Sequence, residues 1–305
     1  MRNTIALLLL WAPSVLALNT RSAVSISGLD TNPCTPASPC RSFSVAIAAT
    51  AATGEVIALD SAGYGPFTVP DELTISGAPG AHAAITATSG DGITVNAGTS
   101  DRVVLRNLIL ISAGATVGVH DSVSKEATVI GCLIRGFNSG ILVDTNASNL
   151  SVQHCTILDG GGSVGSAGVN QTAGGNFHRV VVSDSLIDGN FVGIHADQPS
   201  EYVVADTTLS RNLTSSIEVY ATTGTGVTTT LTAKRCTIVH SGYGVFVTMS
   251  GQNNVAGVAL SQNVIAFNTY GVDDPAGGAS TFKNNRLVFN AIDVAGFALA
   301  TDTLQ

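Results

Sequence analysis

Residues 127–143 read ATVIGCLIRGFNSGILV, and this pattern returns with substitutions along the rest of the chain. Apolar positions alternate with others in two short segments, A-x-V and C-x-I, which a two-residue corner separates. After a polar bend the copy closes on a third segment, Gly140-Ile141-x-Val143. Alternation with a period of two is typical of β-strands that bury one face, so one copy predicts three short strands.

The first two segments define a motif, V-x-V-x-x-[small or apolar]-x-[I/L], whose internal spacing is constant over eight copies that start 22 to 30 residues apart. The copies start at Val103, Ala127, Leu150, Val180, Tyr202, Leu231, Val258 and Ser280. Repeats of this length indicate a solenoid, in which each coil pairs only with its neighbours at ~4.8 Å. We therefore predict an all-β, right-handed parallel β-helix with three strands per coil. A β-sandwich or β-propeller is the alternative, but a propeller blade needs longer strands joined by hairpins.

The corner between the first two strands is expected to need left-handed backbone angles, because the alternation breaks there. Its second residue is Asn, Asp or Gly in five of the eight copies, and these types adopt such angles at low cost. Just after the corner, Cys132, Cys155 and Cys236 fall in one interior column, as small buried side chains. A Cys132–Cys155 disulfide between adjacent coils is a conceivable alternative. No His accompanies the column, so it predicts no metal site.

The chain is expected to consist of a secretory signal peptide followed by one domain. Residues 1–17 combine Arg2, an apolar run too short to cross a bilayer and a small-residue cleavage site. Residues 18–305 are predicted to form a single domain, with an N-terminal cap over 18–54, coils over 55–290 and a C-terminal cap over 291–305. Within the N-terminal cap we predict a strand over 23–30 and a helix over 42–52, N-capped by Ser42 and covering the first coil.

Composition and charge narrow the possible partners. The formal net charge is −8 and no basic cluster exists beyond Lys234-Arg235, so nucleic acid is not expected as a partner. No second apolar run suits a membrane span, so the mature protein is expected to be secreted or periplasmic. Cys34 and Cys40 flank a Pro-rich loop and are predicted to form a disulfide in an oxidising compartment.

Several N-terminal features together resemble a known group. Asn-Pro-Cys34 and Pro-Cys40-Arg-Ser-Phe precede an Ala-rich helix, then Leu59-Asp60 and Gly63-Tyr64-Gly65, and finally the N-x-x-G-I repeats. With them the chain resembles a bacterial group of secreted right-handed β-helix repeat proteins in the pectate-lyase-like superfamily. The resemblance implies the β-helix over essentially the whole mature chain, but no particular activity. It also implies that an active site would lie on the outer face of the G-I-x-V strand.

That outer face carries polar and aromatic residues in two columns. The residues one position after the inward Ile or Val are His120, Leu142, Asn170, His195, Glu218, Phe246 and Asp273; those three positions after include Asp144, Asp197 and Tyr220. Neighbouring coils bring such residues within ~5 Å, where a His–carboxylate pair can transfer protons. Candidate catalytic residues are His195, Asp197 and Glu218, and candidate substrate-binding residues are Asp144, Asn170 and Tyr220. The alternative is that all are solvated residues on the wet face of a sheet.

Two functions stay open, because the enzyme signatures that the resemblance implies are mostly missing. The polygalacturonase Asp position, Gly-His-Gly and Arg-Ile-Lys are absent, as is the Asp-Pro-His-Asp of mannuronan epimerases, and Asp273-Asp274 is interpreted as a turn. No cofactor is expected, and calcium is disfavoured because Asp144 and Asp197 are two coils apart without a basic residue. The first hypothesis is a secreted protein that binds carbohydrate or serves a surface interaction without catalysis. The second is a polysaccharide lyase or glycoside hydrolase that acts on an extracellular glycan.

Overall fold

The structure is a computed structural model that describes residues 18–172, 177–197, 199–221 and 225–301. The predicted signal peptide, residues 1–17, lies outside the described residues, as do residues 302–305 of the predicted C-terminal cap. The described chain winds into a parallel β-helix whose coils each contribute up to three strands. The fold class predicted from the repeat is therefore confirmed.

The strands form three parallel sheets along the axis, and two long strands belong to both sheet 1 and sheet 3. Sheet 1 contains Asn19–Val24, Thr50–Ala58, Thr74–Gly77, Asp91–Arg106, Val117–Ile130, Asn149–Gln153, His178–Ser183, Ser200–Ala205, Thr228–Lys234, Val255–Ser261, Ala279–Thr281 and Ala300–Thr301. Sheet 2 contains Ala62–Gly63, Ala83–Ala87, Leu108–Ser112, Leu133–Arg135, Thr156–Leu158, Leu186–Asp188, Thr208–Ser210, Thr237–Val239, Val264–Ala266 and Arg286–Val288. Sheet 3 contains Phe67–Val69, the long strands Asp91–Arg106 and Val117–Ile130, then Ser139–Val143, Ala167–Gln171, Val192–Ala196, Ser215–Ala221, Tyr243–Met249, Tyr270–Asp274 and Ile292–Gly296.

Equivalent residues of successive copies lie above one another inside the coils. Ile157 pairs with Ile134 on one side and with Ile187 on the other, and all three are buried. Each such aliphatic side chain contributes ~1.5–3 kcal/mol when it leaves water. The three interior cysteines are buried and free, so the predicted interior column is confirmed and no disulfide joins the coils there.

The corner residues take the left-handed angles that the broken alternation predicted. Seven of the eight have φ between 50° and 62°. They include Arg235 and Gln262, whose Cβ atoms make this conformation less favourable than it is for glycine. The last copy differs. Thr281 pairs with Leu260, and Lys283 instead of Asn284 has the positive φ, so the motif there is Ala279-x-Thr281 and not Ser280-x-Phe282. This corner contains one additional residue, which shifts the register. The predicted motif assumed a corner of two residues in every copy.

Buried asparagines close the turn before sheet 3. Oδ1 of Asn268 accepts the backbone N–H of Ser241 at 2.9 Å, and its Nδ2 donates to the carbonyl of Ile238 at 3.1 Å. Asn290 repeats the arrangement one coil later, at 3.0 Å from the N–H of Asn268. The Asn of the N-x-x-G-I repeat therefore satisfies backbone groups that would otherwise be buried without a partner. The glycine is needed for space: a Cβ at Gly168 would lie 2.7 Å from Cγ2 of Ile187.

The N-terminal cap contains the predicted helix, in a shorter form. Helix Phe43–Ala48 buries Phe43, whose ring lies 5.2 Å from that of Tyr64 and 4.6 Å from that of Phe67, so the helix covers the first coil. It ends before residue 52 because Thr50–Ala58 is already a strand of sheet 1, five residues before the predicted start of the coils. Ser42 makes no capping bond and donates to Oδ2 of Asp30 instead, at 3.0 Å.

The first strand and the chain's end also differ from expectation, while the disulfide is confirmed. The strand predicted over residues 23–30 is Asn19–Val24, since Asp60 accepts bonds from the Ser25 hydroxyl (2.7 Å) and the Ile26 N–H (3.1 Å) in a turn. Cys34 and Cys40 are bonded, with their Cα atoms 4.6 Å apart. Within the segment assigned to the C-terminal cap, Ile292–Gly296 and Ala300–Thr301 extend sheets 3 and 1.

Candidate functional site

Sheet 3 aligns the candidate residues of its outer face in one ladder. In the strand register His195 lies opposite Asn170 on one side and opposite Glu218 on the other, and Glu218 lies opposite Phe246. The inward Ile194 and Ile217 of the same strands are fully buried. Side chains in a strand alternate between faces, so the buried isoleucines orient His195 and Glu218 toward the outside.

His195 lies between two carboxylates. Its Nδ1 is 3.1 Å from Oε2 of Glu218, and its Nε2 is 3.6 Å from Oδ2 of Asp197. Glu218 is held in turn by Ser215, whose hydroxyl donates to Oε1 at 2.8 Å. The structure thus brings together the three residues proposed for catalysis, two from one coil and one from the next.

The charge of His195 follows from these neighbours. Burial by itself would lower the pKa of the imidazole, but the hydrogen bonds and negative charges of Asp197 and Glu218 outweigh it and raise the pKa to about 9. The side chain is therefore protonated at neutral pH, with both ring nitrogens carrying hydrogen. A cation held between two carboxylates is a poor general base, because it has no free lone pair with which to accept a proton.

Tyr220 completes the site on the solvent side. Its ring centroid is 4.9 Å from that of His195, and burial followed by the charges of Glu218 and Asp197 raises the pKa of the phenol to about 12. The hydroxyl thus remains a neutral hydrogen-bond donor throughout the physiological range. Together these residues border a cavity of about 330 Å³, the His195 groove, which is lined by Val164, Phe191, His195, Thr214, Glu218 and Tyr220.

Asn170 and Asp144, the other proposed substrate-binding residues, do not share this arrangement. Nδ2 of Asn170 donates to Ser139 Oγ (3.0 Å) and to the Gly165 carbonyl (2.9 Å), so the side chain is used in holding a neighbouring loop. Asp144 lies in a different place, with Oδ2 3.4 Å from Nε2 of His120. The turn after each strand determines where such a residue points, and coil spacing does not reveal that turn.

A second His–carboxylate cluster, the His120 cluster, was not anticipated from the sequence. Nδ1 of His120 is 2.8 Å from Oδ2 of Asp91, on the opposite side of the ring from Asp144. A larger depression of about 450 Å³ lies beside Asp91 and the cap helix. It is more open than the His195 groove and has no tyrosine or histidine among its lining residues, so it offers fewer hydrogen-bonding and ring contacts to a ligand.

Asp121 is a further residue that the motif did not single out, although its inward position was readable from the alternation. It is fully buried in sheet 3, between Val95 and Val143 of the neighbouring coils. Burial raises its pKa to about 7, against the hydrogen bond from Ser124 and the charge of His120, which lower it. Oδ1 has no hydrogen-bond partner among the described residues.

A run of aromatic rings continues from the His195 groove toward the C-terminal coils. Tyr220 is followed by Phe246 at 6.1 Å, Phe246 by Tyr243 at 5.2 Å and Tyr243 by Tyr270 at 5.0 Å, measured between ring centroids. These four residues are called the aromatic row. Tyr243 and Tyr270 occupy the position before the G-V of sheet 3 in successive repeats, a signal that the sequence contains.

Two findings bear on metals and membranes. Among the described residues, no group of three or more His, Cys, Asp and Glu side chains is arranged to hold a metal ion. The part of the chain that the structure describes contains no helix with the length and hydropathy of a transmembrane span. The acidic pair interpreted as a turn instead ends the strand Tyr270–Asp274, and Asp274 accepts backbone N–H bonds from Gly278 (3.0 Å) and Ala279 (2.8 Å) beyond the turn that follows.

Comparison with known families supports the architecture. The sequence matches the family described as "Right handed beta helix region" over residues 74–260, more than half of its length. The chain belongs to this family. The hand of this right-handed β-helix thus agrees with the prediction. No curated protein matches it significantly in sequence.

A solved structure shows the same fold. The β-helix is similar to a pectate lyase, at 14% identity and a TM-score of 0.63, covering 94% of this chain and 78% of that one. It is also similar to the Dettilon tailspike protein (14% identity, TM-score 0.45, 85% and 54% coverage) and to a periplasmic alginate epimerase (14%, 0.38, 81% and 77%). At 14% identity the similarity to the pectate lyase shows the fold alone.

Proposed function

We propose that this β-helix binds carbohydrate in the His195 groove. The observation that carries the proposal is that an aromatic ring, an imidazolium and a carboxylate line one cavity on the outer face of sheet 3, with a second carboxylate, Asp197, 3.6 Å from the imidazolium. Tyr220 offers an apolar ring face with a polar hydroxyl, which suits the alternating C–H and O–H surface of a sugar. Carboxylate oxygens of Glu218 can accept hydrogen bonds from the hydroxyl groups of a sugar, and charged acceptors form the stronger bonds.

Binding is favoured over catalysis by the charge state of His195. Proton abstraction at neutral pH requires a base whose pKa lies near the operating pH and whose lone pair is free. His195 has a pKa of about 9 and contacts a carboxylate at each nitrogen, so its charge organises Asp197 and Glu218 instead. In this proposal His195 is a positioning residue, and Glu218 and Tyr220 contact the ligand.

A polysaccharide lyase or glycoside hydrolase is the second candidate, and the two carboxylates on opposite sides of His195 favour it. Hydrolases use one carboxyl group as acid and another as base or nucleophile. Tyr220, with a protonated phenol, offers a further acid. Reducing-end release and unsaturated-product assays on polyuronates and neutral glycans test this candidate, with and without added Ca²⁺. Turnover that survives His195→Ala and Glu218→Ala together would remove these residues from the chemistry.

We also propose that the protein acts outside the cytoplasm. The Cys34–Cys40 disulfide supports an oxidising compartment, because such bonds rarely persist among cytosolic thiol reductants. A carbohydrate of a cell surface or of the surrounding medium is the partner consistent with that location. Alkylation of the native and the reduced protein after expression with its first 17 residues, followed by fractionation, tests both points.

Glycan-array screening followed by calorimetry on the full chain tests the binding function. Tyr220→Ala and Glu218→Gln are each expected to weaken binding of the best array hit by about tenfold or more. Leu142→Ala is the matched control, since Leu142 occupies the same ladder position as Glu218 three coils away. Absence of any glycan ligand, or equal loss from Leu142→Ala, would contradict the proposal.

A further inference from the structure

We infer that the His195 groove takes a neutral polysaccharide chain and not a polyuronate, and that the aromatic row binds this chain along the β-helix axis toward the C-terminal coils. The inference rests on the proposed carbohydrate-binding function and specifies its ligand class and direction. It follows from three features of the described residues: the spacing of the rings, their presence on one side of His195 only, and the charge of the groove.

The rings are spaced for consecutive contacts along an extended ligand. Tyr220, Phe246 and Tyr243, and Tyr270 come from three successive strands of sheet 3, whose spacing is ~4.8 Å. Tyr243 and Tyr270 face each other in the strand register with their rings nearly parallel, at 13°. All four side chains are only partly buried, so each retains surface for a ligand. Successive sugar rings of a chain that runs parallel to the axis can therefore meet successive aromatic side chains.

The row lies on one side of the groove. Toward the N-terminal coils, the ladder position of His195 is taken by Asn170 and Leu142. The residues in register with Tyr243 are Ser215, then Val192 and Ala167, none of which has an aromatic ring. Apart from Phe191 in the wall of the groove itself, the described residues along the ladder thus offer a bound chain aromatic contacts only from Tyr220 toward Tyr270, and this asymmetry fixes the direction in which affinity grows with ligand length.

The negative charge at the groove disfavours the binding of sugars that carry carboxylates. His195 and Glu218 line the groove, and Asp197 lies 3.6 Å from the imidazole, so one positive and two negative charges leave a net charge of about −1 beside a partly desolvated cavity. None of the described residues that line the groove is Lys or Arg. Asp273, in register with Phe246, adds another acidic group beside the row. A polyuronate would place like charges against these carboxylates, whereas neutral hydroxyls donate to them.

Calorimetry of the full chain with defined oligosaccharides tests the inference. The probes are neutral β-1,4-linked oligomers of glucose, xylose and mannose, from two to six units, and oligogalacturonates of the same lengths. At least one neutral series is expected to bind, with affinity rising up to about four units, and the uronates are expected to bind about tenfold more weakly or not at all. Uronates that bind as well as the neutral series would overturn the inference and leave the proposed function intact.

Substitutions at Tyr270 and Phe267 test where the bound oligosaccharide lies on the protein surface. Tyr270→Ala is expected to lower the affinity of the longest neutral oligomer about threefold to tenfold while the disaccharide is unaffected, and Tyr270→Phe to restore it. Phe267→Ala is the matched control, because Phe267 is an exposed ring of the same coil that stacks on Phe289, outside the row. Equal losses for all lengths, or losses from Phe267→Ala, would overturn the direction. Binding of no oligosaccharide at all would instead reject the proposed function.

Discussion

Nδ1 of His195 lies 3.1 Å from Oε2 of Glu218, although 23 residues separate the two along the chain. The contact exists because each coil lies directly on the next, so that residues one repeat apart become cross-strand neighbours. Asp197 approaches the other ring nitrogen from the same coil as His195. The charges that surround His195 therefore come from two adjacent coils.

This pairing predicts how stability depends on pH. The pKa of His195 rises from about 6.5 in the unfolded chain to about 9 in the folded one, so its stabilisation is fully present below about pH 6.5 and is lost as the pH rises through 9. The difference in free energy of unfolding between wild type and His195→Gln is expected to shrink by up to ~3 kcal/mol from about pH 6 to pH 10. Urea unfolding measures it, and NMR titration of the ring checks the pKa. A difference that stays constant across this range would contradict the pairing.

Asp121 predicts a dependence of the same sign at lower pH. Its folded pKa of about 7 exceeds the unfolded value of about 3.9, so the unfolded state loses its proton first and stability falls as the pH rises between these values. Asp121→Asn removes the titrating group. The free energy of unfolding of the variant relative to wild type is expected to rise by ~4 kcal/mol from about pH 4 to pH 8.

Chemical denaturation at several pH values measures this difference. The exposed Asp71→Asn serves as a control for the loss of one negative charge from the surface. If Asp121→Asn follows the same curve as Asp71→Asn, the burial of Asp121 has no energetic consequence and the prediction is wrong.

Ile187 tests the stacked interior. It is fully buried between Ile157 and Leu209, so Ile187→Asp would place a carboxylate where no partner or water reaches it. A loss of more than ~4 kcal/mol, or failure to fold, is expected. Ile187→Val keeps the residue apolar and is expected to cost only ~1 kcal/mol. Thermal unfolding by circular dichroism separates the two, and near-wild-type melting of Ile187→Asp would exclude the inward position.

Asn268 tests the asparagine turns. Asn268→Ala leaves the N–H of Ser241 and the carbonyl of Ile238 buried without their partners, for an expected loss of ~3 kcal/mol. The control is Thr269→Ala at the exposed neighbouring position, which is expected to change stability by less than ~0.5 kcal/mol. Similar unfolding midpoints for both variants would mean that water replaces the lost bonds.

Much of this architecture was predictable because a parallel β-helix converts sequence period into spatial adjacency. The constant spacing within each motif copy was enough to identify the inward column through Ile187 and the outward ladder that joins His195 to Glu218. The prediction was wrong for the last copy, in which one residue is inserted at the corner although the sequence still matches the motif. Such an addition shifts Phe282 out of the interior position that Thr281 occupies.

The site was less predictable because side-chain direction at the turns depends on local backbone angles. Coil counting placed Asp144 and Asp197 at equivalent positions of the outer face, but the partner of each followed only from the structure, in which Asp144 approaches His120 and Asp197 approaches His195. Tyr243 was not singled out, because it precedes the two columns that were read from the sequence and its contact with Phe246 is made within the strand Tyr243–Met249.

The sequence by itself thus determined the coil, its interior and which strand faces outward, since these follow from period and alternation, which are properties of the chain. Only the tertiary structure decided which polar groups meet, that His195 lies between two carboxylates, and that four rings form one row. Those outcomes depend on distances of a few ångström and on burial, which exist only after the coils have stacked.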